Sequence, residues 1–119
     1  FYTRLWKEVP KTAEELEAQK GSEAGTYDMK VTSEALGMAA AQKRVRSAGA
    51  EIVWDDTAKQ NYAQWQGSDG ATYKIWLEDV DSLHERLKVI AGADVAGVAA
   101  WRLGYETEEI WEIIDDYIH

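Results

Sequence analysis

The sequence contains no cysteine, one proline and no long apolar run. The missing cysteine excludes disulfides and thiolate chemistry, and it leaves the cellular compartment open. No apolar stretch approaches the roughly 20 residues of a membrane-spanning helix, so we expect no membrane partner. With 45% hydrophobic and 29% charged residues, the composition is that of a globular protein.

Positive charge is also scarce. Thirteen Lys and Arg residues face 22 Asp and Glu residues, which gives a net charge of −9. Because nucleic-acid binding depends on clustered cations, this balance argues against a nucleic-acid partner. It also disfavours anionic membranes and polyanionic wall polymers. A neutral polysaccharide suits it better.

The segment 94–118 is the most informative part of the chain. The run Val95–Ala100 has no polar member, which is typical of a buried strand in a parallel sheet. Trp101 ends this run, and Thr107 follows as a predicted helix cap. One apolar face is then expected from Ile110, Trp111, Ile113, Ile114, Tyr117 and Ile118. The pattern predicts a strand, a loop bearing Trp101 and Tyr105, and a covering helix.

About 90 residues separate Trp6 from this strand, far more than one crossover needs. Thr12-Ala-Glu-Glu15 is a capping-box pattern and predicts a short helix to about Lys20. Gly21–Gly25 then indicates a loop. Ser33–Ala48 is predicted as a helix with Leu36, Ala40 and Val45 facing inward and Gly49 ending it.

Three strand patterns follow and predict an antiparallel meander. They are Glu51–Asp55, Asn61–Gln66 and Thr72–Leu77, joined by turns at 55–60 and 67–70. The capping-box spacing Ser82-Leu-His-Glu85 predicts the start of another helix. Its inner face is expected to carry Leu83, Leu87 and Ile90.

Six tryptophans is a high number for 119 residues. Tryptophan is usually buried, and core packing is the expected role of Trp54, Trp76 and Trp111. Trp65 points to the side opposite Tyr62 and could be exposed. Trp101 differs, because it ends an apolar strand where barrel enzymes place their sites. Aromatic rings of this kind stack on the flat C–H faces of sugars.

Three segments resemble the chitinase-like enzymes of glycoside hydrolase family 18. Gly97-Val-Ala-Ala-Trp-Arg-Leu-Gly-Tyr-Glu106 resembles the last barrel strand, which ends in the tryptophan that floors the sugar subsite at the cleavage point. Phe1-Tyr-Thr-Arg-Leu-Trp6 resembles the preceding strand, and Ile75–Leu83 resembles the lead into the helix between them. The bacterial branch linked to spore-cortex and cell-wall lysis is the most similar.

This resemblance implies an α/β fold, namely the C-terminal fragment of a TIM (β/α)8 barrel with an inserted α+β subdomain. Residues 1–9 would form the penultimate barrel strand and residues 10–80 the insertion containing the meander. Residues 81–119 would hold a barrel helix, the last strand and the last helix. Because a complete barrel takes roughly 250 residues and the sequence begins within a strand, we expect a piece of a larger enzyme.

The resemblance also implies substrate-binding residues at Tyr2 and Arg4, which share one strand face by their period of two. Arg4 can donate several hydrogen bonds to sugar hydroxyls or an acetamido oxygen. The alternative role for Arg4 is structural, closing the barrel against a buried carboxylate. Tyr105 joins Trp101, Tyr2 and Arg4 as a fourth candidate because it lies in the same loop as Trp101.

No catalytic residue is assigned in this chain. The family uses an Asp-x-x-Asp-x-Asp-x-Glu motif on an earlier strand, with the substrate's own acetamido group as nucleophile. The nearest arrangement here runs from Asp79 through Asp81 to Glu85, with the wrong final spacing, and these aspartates fit helix caps better. Asp55-Asp56 indicates a turn, and Asp115-Asp116 a solvated helix face. His84 and His119 suggest no metal site, and we expect no metal or cofactor.

The chain is therefore expected to form part of a family 18 enzyme that acts on β-1,4-linked N-acetylglucosamine polymers, chitin or peptidoglycan. The expected location is outside the cell, in the cell wall or in the spore envelope. This chain would supply sugar-binding residues without the catalytic acid. Two alternatives remain: a non-catalytic lectin of the same fold, and a small α+β domain that binds a protein through its tryptophan-rich meander. The isolated chain is expected to form a small homo-oligomer, because cut barrel edges pair with other copies.

Overall fold

The computed structural model describes residues 1–21 and 27–118, which form one antiparallel sheet and four helices. The sheet order is β2-β1-β5-β4-β3. Its strands are β1 (Tyr2–Pro10), β2 (Met29–Gly37), β3 (Ile52–Asp55), β4 (Gln60–Gln66) and β5 (Thr72–Leu77). The helices are α1 (Ala13–Ala18), α2 (Met38–Ala48), α3 (Val80–Ala91) and α4 (Glu109–Ile118). In this part of the chain no helix is long and apolar enough to cross a membrane.

The predicted meander is confirmed as β3, β4 and β5. Gly70 has a φ of 79°, which a glycine adopts without strain, and it completes the turn between β4 and β5. At the other turn the Asp55 carboxylate accepts hydrogen bonds from the amides of Thr57 and Ala58, both 3.0 Å long. Local turn chemistry therefore sets the order of these three strands.

The meander belongs to a larger sheet, because β1 pairs with both β2 and β5. The whole of β1 pairs with β2, from Tyr2 opposite Gly37 to Pro10 opposite Met29. Leu5 to Glu8 also pair with β5. Phe1–Trp6 and Val95–Leu103, which in a barrel would lie side by side as parallel strands, are not paired strands in the described residues, because Leu5–Glu8 pair with β5 and residues 92–108 form no strand.

The predicted helix 33–48 is wrong in its first turn. Residues 33–37 belong to β2, and α2 begins only at Met38. Leu36 is buried as expected, but as a strand residue opposite Thr3, whereas Ala40 is exposed. Strand pairing outweighs helix propensity here. Gly49 ends α2 in the left-handed conformation, as predicted.

The core lies between the sheet and α2. One face of the sheet and the inner side of α2 contribute Leu5, Leu36, Ala41, Val45, Ala63, Ile75 and Leu77. Ile75 and Leu77 on β5 are fully buried. Because this core lies on one face of the sheet, the alanine-rich helix α2 packs closely on that face.

The last predicted strand is absent. Residues 92–108 form no helix or strand, and every residue from 91 to 104 is exposed. Val95 and Val98 are 54% and 57% exposed. A strand requires neighbouring backbone partners, and in the described residues no strand pairs with this segment. The predicted burial of Val95–Ala100 therefore fails in this chain.

The other helices begin near their predicted positions. Thr12 and Glu15 form the expected capping box of α1, which ends at Ala18 rather than Lys20. Helix α3 starts three residues earlier than the spacing Ser82–Glu85 predicts, because Asp79 is its cap and Ser82 completes the box. Thr107 does not cap α4, since its buried hydroxyl has no hydrogen-bond partner. Residues 22–25 of the predicted loop lie outside the described residues, as does His119.

The tryptophans are less buried than predicted. Trp54 is 41% and Trp111 45% exposed, so neither is a core residue, and Trp76 is half-buried. Trp65 is half-buried and stacks on Tyr73 with ring centroids 5.5 Å apart. Indole rings thus remain accessible on several surfaces of the molecule.

Candidate functional site

The start of β1 meets the segment 92–108 at one end of the sheet. The Phe1 amino group donates a hydrogen bond to the carbonyl oxygen of Trp101. The Phe1 ring contacts Trp111 edge to face, with centroids 5.6 Å apart. These contacts hold the loop beside the strand that carries Tyr2 and Arg4.

Tyr105 is fixed against the same end of the sheet. Its ring centroid lies 6.1 Å from that of Tyr2, and its carbonyl accepts the Met38 amide at 2.8 Å. Gly37 makes this approach possible, because a Cβ there would lie 3.0 Å from Tyr105 Cδ1. Arg102 lies over the Tyr105 ring, 4.4 Å from its centroid, and donates to the phenol oxygen at 2.9 Å. Tyr105 therefore joins the loop to β1, β2 and the start of α2.

Glu106 organises the loop from within. Its carboxylate accepts the Gly104 amide at 2.8 Å. Its own backbone amide lowers the pKa of Glu106, and the Gly104 amide, the Trp111 indole and the Tyr105 amide act in the same direction. An ionised Glu106 thus stabilises the turn that presents Trp101 and Tyr105.

Arg4 lies on the same strand face as Tyr2 and is exposed. Its Nη1 donates to Ser33 Oγ at 2.8 Å. Within the described part of the chain this partner is a neutral hydroxyl on β2. The guanidinium retains further donors for a ligand.

Trp101 projects from the loop and is 69% exposed. Its peptide bond to Arg102 is cis. Beneath the loop lies an apolar groove of about 320 Å³, bounded by α3, α4 and residues 98–101. Leu87, Val98 and Ile114 are among its lining residues. The Trp101 ring therefore borders an uncovered apolar surface.

The structure places the four predicted residues at the same end of the sheet. Tyr2 contacts Tyr105, Arg4 follows Tyr2 on the same strand face, and Trp101 reaches this end through its bond to Phe1. Sequence reasoning missed Arg102 and Glu106, which position the loop, and no pattern signals them beyond their place two residues before and after Gly104.

The acidic residues have structural roles. Asp79 caps α3, and Asp79 and Asp81 both accept from Asn61 Nδ2 at 2.8 Å. The Asp55 pKa is lowered by hydrogen bonds from the Trp76 indole and turn amides.

His84 lies near Tyr117, with ring centroids 5.9 Å apart. Among the described residues no group of three or more His, Asp or Glu side chains could hold a metal ion. The site offers aromatic surfaces and hydrogen-bond donors for binding.

Comparisons with known proteins relate the fold of this chain to parts of longer proteins. No protein-family profile matches the chain. Over 67 residues it is 24% identical to the cortical fragment-lytic enzyme of Bacillus subtilis (strain 168), a match that covers 56% of this chain and 16% of that enzyme.

Solved structures show the same fold over almost the whole chain. The C-terminal domain of a Desulfitobacterium hafniense DCB-2 protein assigned as a chitinase superposes with a TM-score of 0.71 at 21% identity, covering 99% of this chain and 32% of that one. The spore cortex-lytic enzyme SleL of Bacillus cereus gives a TM-score of 0.71 at 16% identity, covering 97% and 24%. SleL of Bacillus megaterium QM B1551 gives 0.70 at 19%, covering 97% and 23%. The chain thus has the mixed α/β fold of a segment that makes up less than a third of these proteins.

Proposed function

We propose that this chain is the C-terminal part of a glycoside hydrolase of family 18 that acts on β-1,4-linked N-acetylglucosamine polymers, chitin or peptidoglycan. The sequence similarity to a cortical fragment-lytic enzyme and the fold shared with a chitinase domain and two cortex-lytic enzymes support a relation to cell-wall glycosidases. The three motif resemblances agree with it. The proposal also places the protein in the cell wall or spore envelope.

The grouping of Tyr2, Arg4, Trp101 and Tyr105 at one end of the sheet carries this proposal. Two tyrosines and an exposed indole offer flat rings to the C–H faces of sugars. The Arg4 guanidinium offers donors to hydroxyl or acetamido oxygens. Such a site binds and orients a glycan. It supplies no proton donor. In the family, the proton donor lies on an earlier strand.

The same proposal explains the uncovered segment. In a complete barrel the first residues of β1 and Val95–Ala100 would be the last two parallel strands. The exposed apolar run, the groove beneath it and the bond from Phe1 to Trp101 are consistent with that arrangement. The radius of gyration, 17.9 Å, also exceeds the value of about 13.5 Å expected for a compact domain of this length. Surface left open here would be buried by the rest of the barrel.

Of the alternatives, the protein-interaction domain would be favoured by one exposed strip of Tyr62 and Trp65. These two residues lie on opposite faces of β4, and Trp65 stacks on Tyr73, so the described residues offer no such strip. A non-catalytic lectin differs from the enzyme only in residues outside this chain. Turnover of N-acetylglucosamine oligomers by the full-length protein distinguishes the two.

Trp101→Ala in the full-length protein tests the site. Loss of a stacking surface should weaken binding of an N-acetylglucosamine hexamer by about 1–3 kcal/mol. Trp54→Ala is the matched control, because Trp54 is also exposed but lies on β3, away from Tyr2 and Tyr105. Isothermal titration calorimetry on both variants measures the difference. Equal affinity of Trp101→Ala and wild type would refute the proposed site.

A further inference from the structure

The face of the sheet opposite the core carries its own aromatic group. Core residues Leu5, Ala63 and Ile75 define one face, and their neighbours along each strand point to the other. Trp6 lies opposite Lys74, and Tyr62 lies opposite Trp76. We call the three side chains Trp6, Tyr62 and Trp76 the aromatic patch.

The rings of the aromatic patch lie close together, and a hydrogen bond fixes the orientation of Trp76. Tyr62 and Trp76 have ring centroids 4.7 Å apart. Trp76 Nε1 donates to Asp55 Oδ2 at 2.9 Å, and the β3–β4 turn amides hold that carboxylate. Trp6 is diagonal to Trp76 across β1 and β5, a separation of about 7–8 Å between backbone positions. Trp6 is 38% exposed, so its ring is available to a ligand.

The patch continues the candidate site along β1. Tyr2, Arg4 and Trp6 share one face, and Tyr2 and Trp6 lie about 13 Å apart along the strand. Extending the pairing of Leu5 with Ile75 by one residue places Arg4 beside Trp76. The candidate site and the aromatic patch are therefore one surface, with Arg4 between them.

Polar groups separate the rings, and their charges are largely balanced. Lys74 forms an ion pair with Glu8, at 3.1 Å between Nζ and Oε1. Gln64 accepts the Tyr62 hydroxyl hydrogen bond at 2.7 Å. Interface cores between proteins are depleted of charged residues, whereas sugars need rings with donors and acceptors between them. The surface thus fits a hydroxyl-rich neutral ligand better than a second copy of the chain.

We propose that the aromatic patch is an additional binding surface for the glycan strand, engaging sugar units beyond those held at Tyr2 and Trp101. The inference rests on the proposed function for its choice of ligand. It assigns to Trp6, Tyr62 and Trp76 a preference for long oligomers. A disaccharide bound at Trp101 would not reach them.

Titration of the full-length protein with an N-acetylglucosamine dimer and hexamer tests this. Trp6→Ala should weaken hexamer binding about ten-fold, equivalent to about 1.4 kcal/mol, and leave dimer binding unchanged. Trp54→Ala, on the opposite face of the sheet, should change neither. In the wild type, the indole N–H signals of Trp6 and Trp76 should shift with hexamer in NMR spectra, while those of Trp54 and Trp65 should not. Because this measurement uses the wild type, it does not depend on whether the variants fold.

The outcomes separate the two proposals. If Trp101→Ala weakens binding but Trp6→Ala does not, and the Trp6 and Trp76 signals stay still, the aromatic patch is refuted and the proposed function stands. If the wild type binds neither oligomer, both the proposed function and the aromatic-patch proposal are refuted. If Trp6→Ala instead changes the molecular mass measured by light scattering, the patch is an interface between copies and the proposal is wrong.

Discussion

Two apolar stretches of this chain have opposite fates. Strand β5, Thr72–Leu77, is paired on both sides and buries Ile75 and Leu77 completely. The run Val95–Ala100 is at least as apolar, yet it forms no strand and is exposed throughout. The difference lies in the neighbours, because β1, β4 and α2 cover β5, whereas within residues 1–21 and 27–118 no strand pairs with residues 95–100.

The comparison shows that apolarity predicts burial only where partners exist. A strand gains stability from cross-strand contacts and from hydrogen bonds with its neighbours. In the meander the turns at 55–60 and 67–70 bring the partners together locally. In the described residues no turn brings a second strand beside residues 95–100, so this run stays exposed.

The largest expected effect contrasts the two stretches directly. Ile75→Ala should lower the free energy of unfolding by about 2–5 kcal/mol, because it opens a cavity in the core. Val98→Ala should change it by less than about 0.5 kcal/mol, since Val98 is 57% exposed. Urea denaturation of the 119-residue chain measures both. Similar losses would mean that the segment 92–108 is packed.

The next largest effect concerns self-association of the isolated chain, which should depend on the exposed run Val95–Ala100. The exposed run and the groove beside it favour association of the isolated chain, while the net charge of −9 opposes unlimited growth. We expect a small closed oligomer in light scattering on a sizing column. Val98→Asp should shift it towards monomer, whereas Val89→Asp, on the exposed side of α3, should not. A wild-type monomer at high concentration would contradict this expectation.

The smallest effect concerns the turn that joins β4 to β5. The Ala71 amide, Lys7 and Tyr73 lower the Asp69 pKa from its ordinary value of 3.8 to about 2. A lowered pKa in the folded state stabilises the fold above about pH 3.8, and this contribution is lost as the pH falls towards 2. Asp69→Asn keeps an acceptor for Ala71 and should flatten the thermal stability between these pH values. An unchanged acid slope in this variant would show that Asp69 does not contribute.

Sequence patterns predicted the elements that are stabilised locally. The meander, the Thr12 capping box and the Gly49 helix end are all local and all present. Strand β2 was missed because residues 33–37 have helical propensity and become a strand only through pairing with β1. Pairing of distant segments is invisible to a pattern of a few residues.

The candidate site was predictable in part. Periodicity placed Tyr2 and Arg4 on one face, and the family resemblance pointed to Trp101. The contacts that position Tyr105 come from Gly37, Met38 and Arg102. Gly37 and Met38 are distant in sequence, so only the fold reveals their approach. The tryptophans are more exposed than the sequence predicts, because the described core cluster lies on one face of the sheet and does not cover six indoles.

Hydrogen exchange of residues 95–101, in the 119-residue chain and in the full-length protein, tests the account most directly. If these residues form a barrel strand that ends in a sugar-binding tryptophan, their amides should exchange rapidly in the isolated chain. They should be at least about a hundred-fold slower in the full-length protein, and adding N-acetylglucosamine hexamer should protect the Trp101 region further. Equally rapid exchange in both proteins, with no effect of the hexamer, would contradict both the barrel and the site.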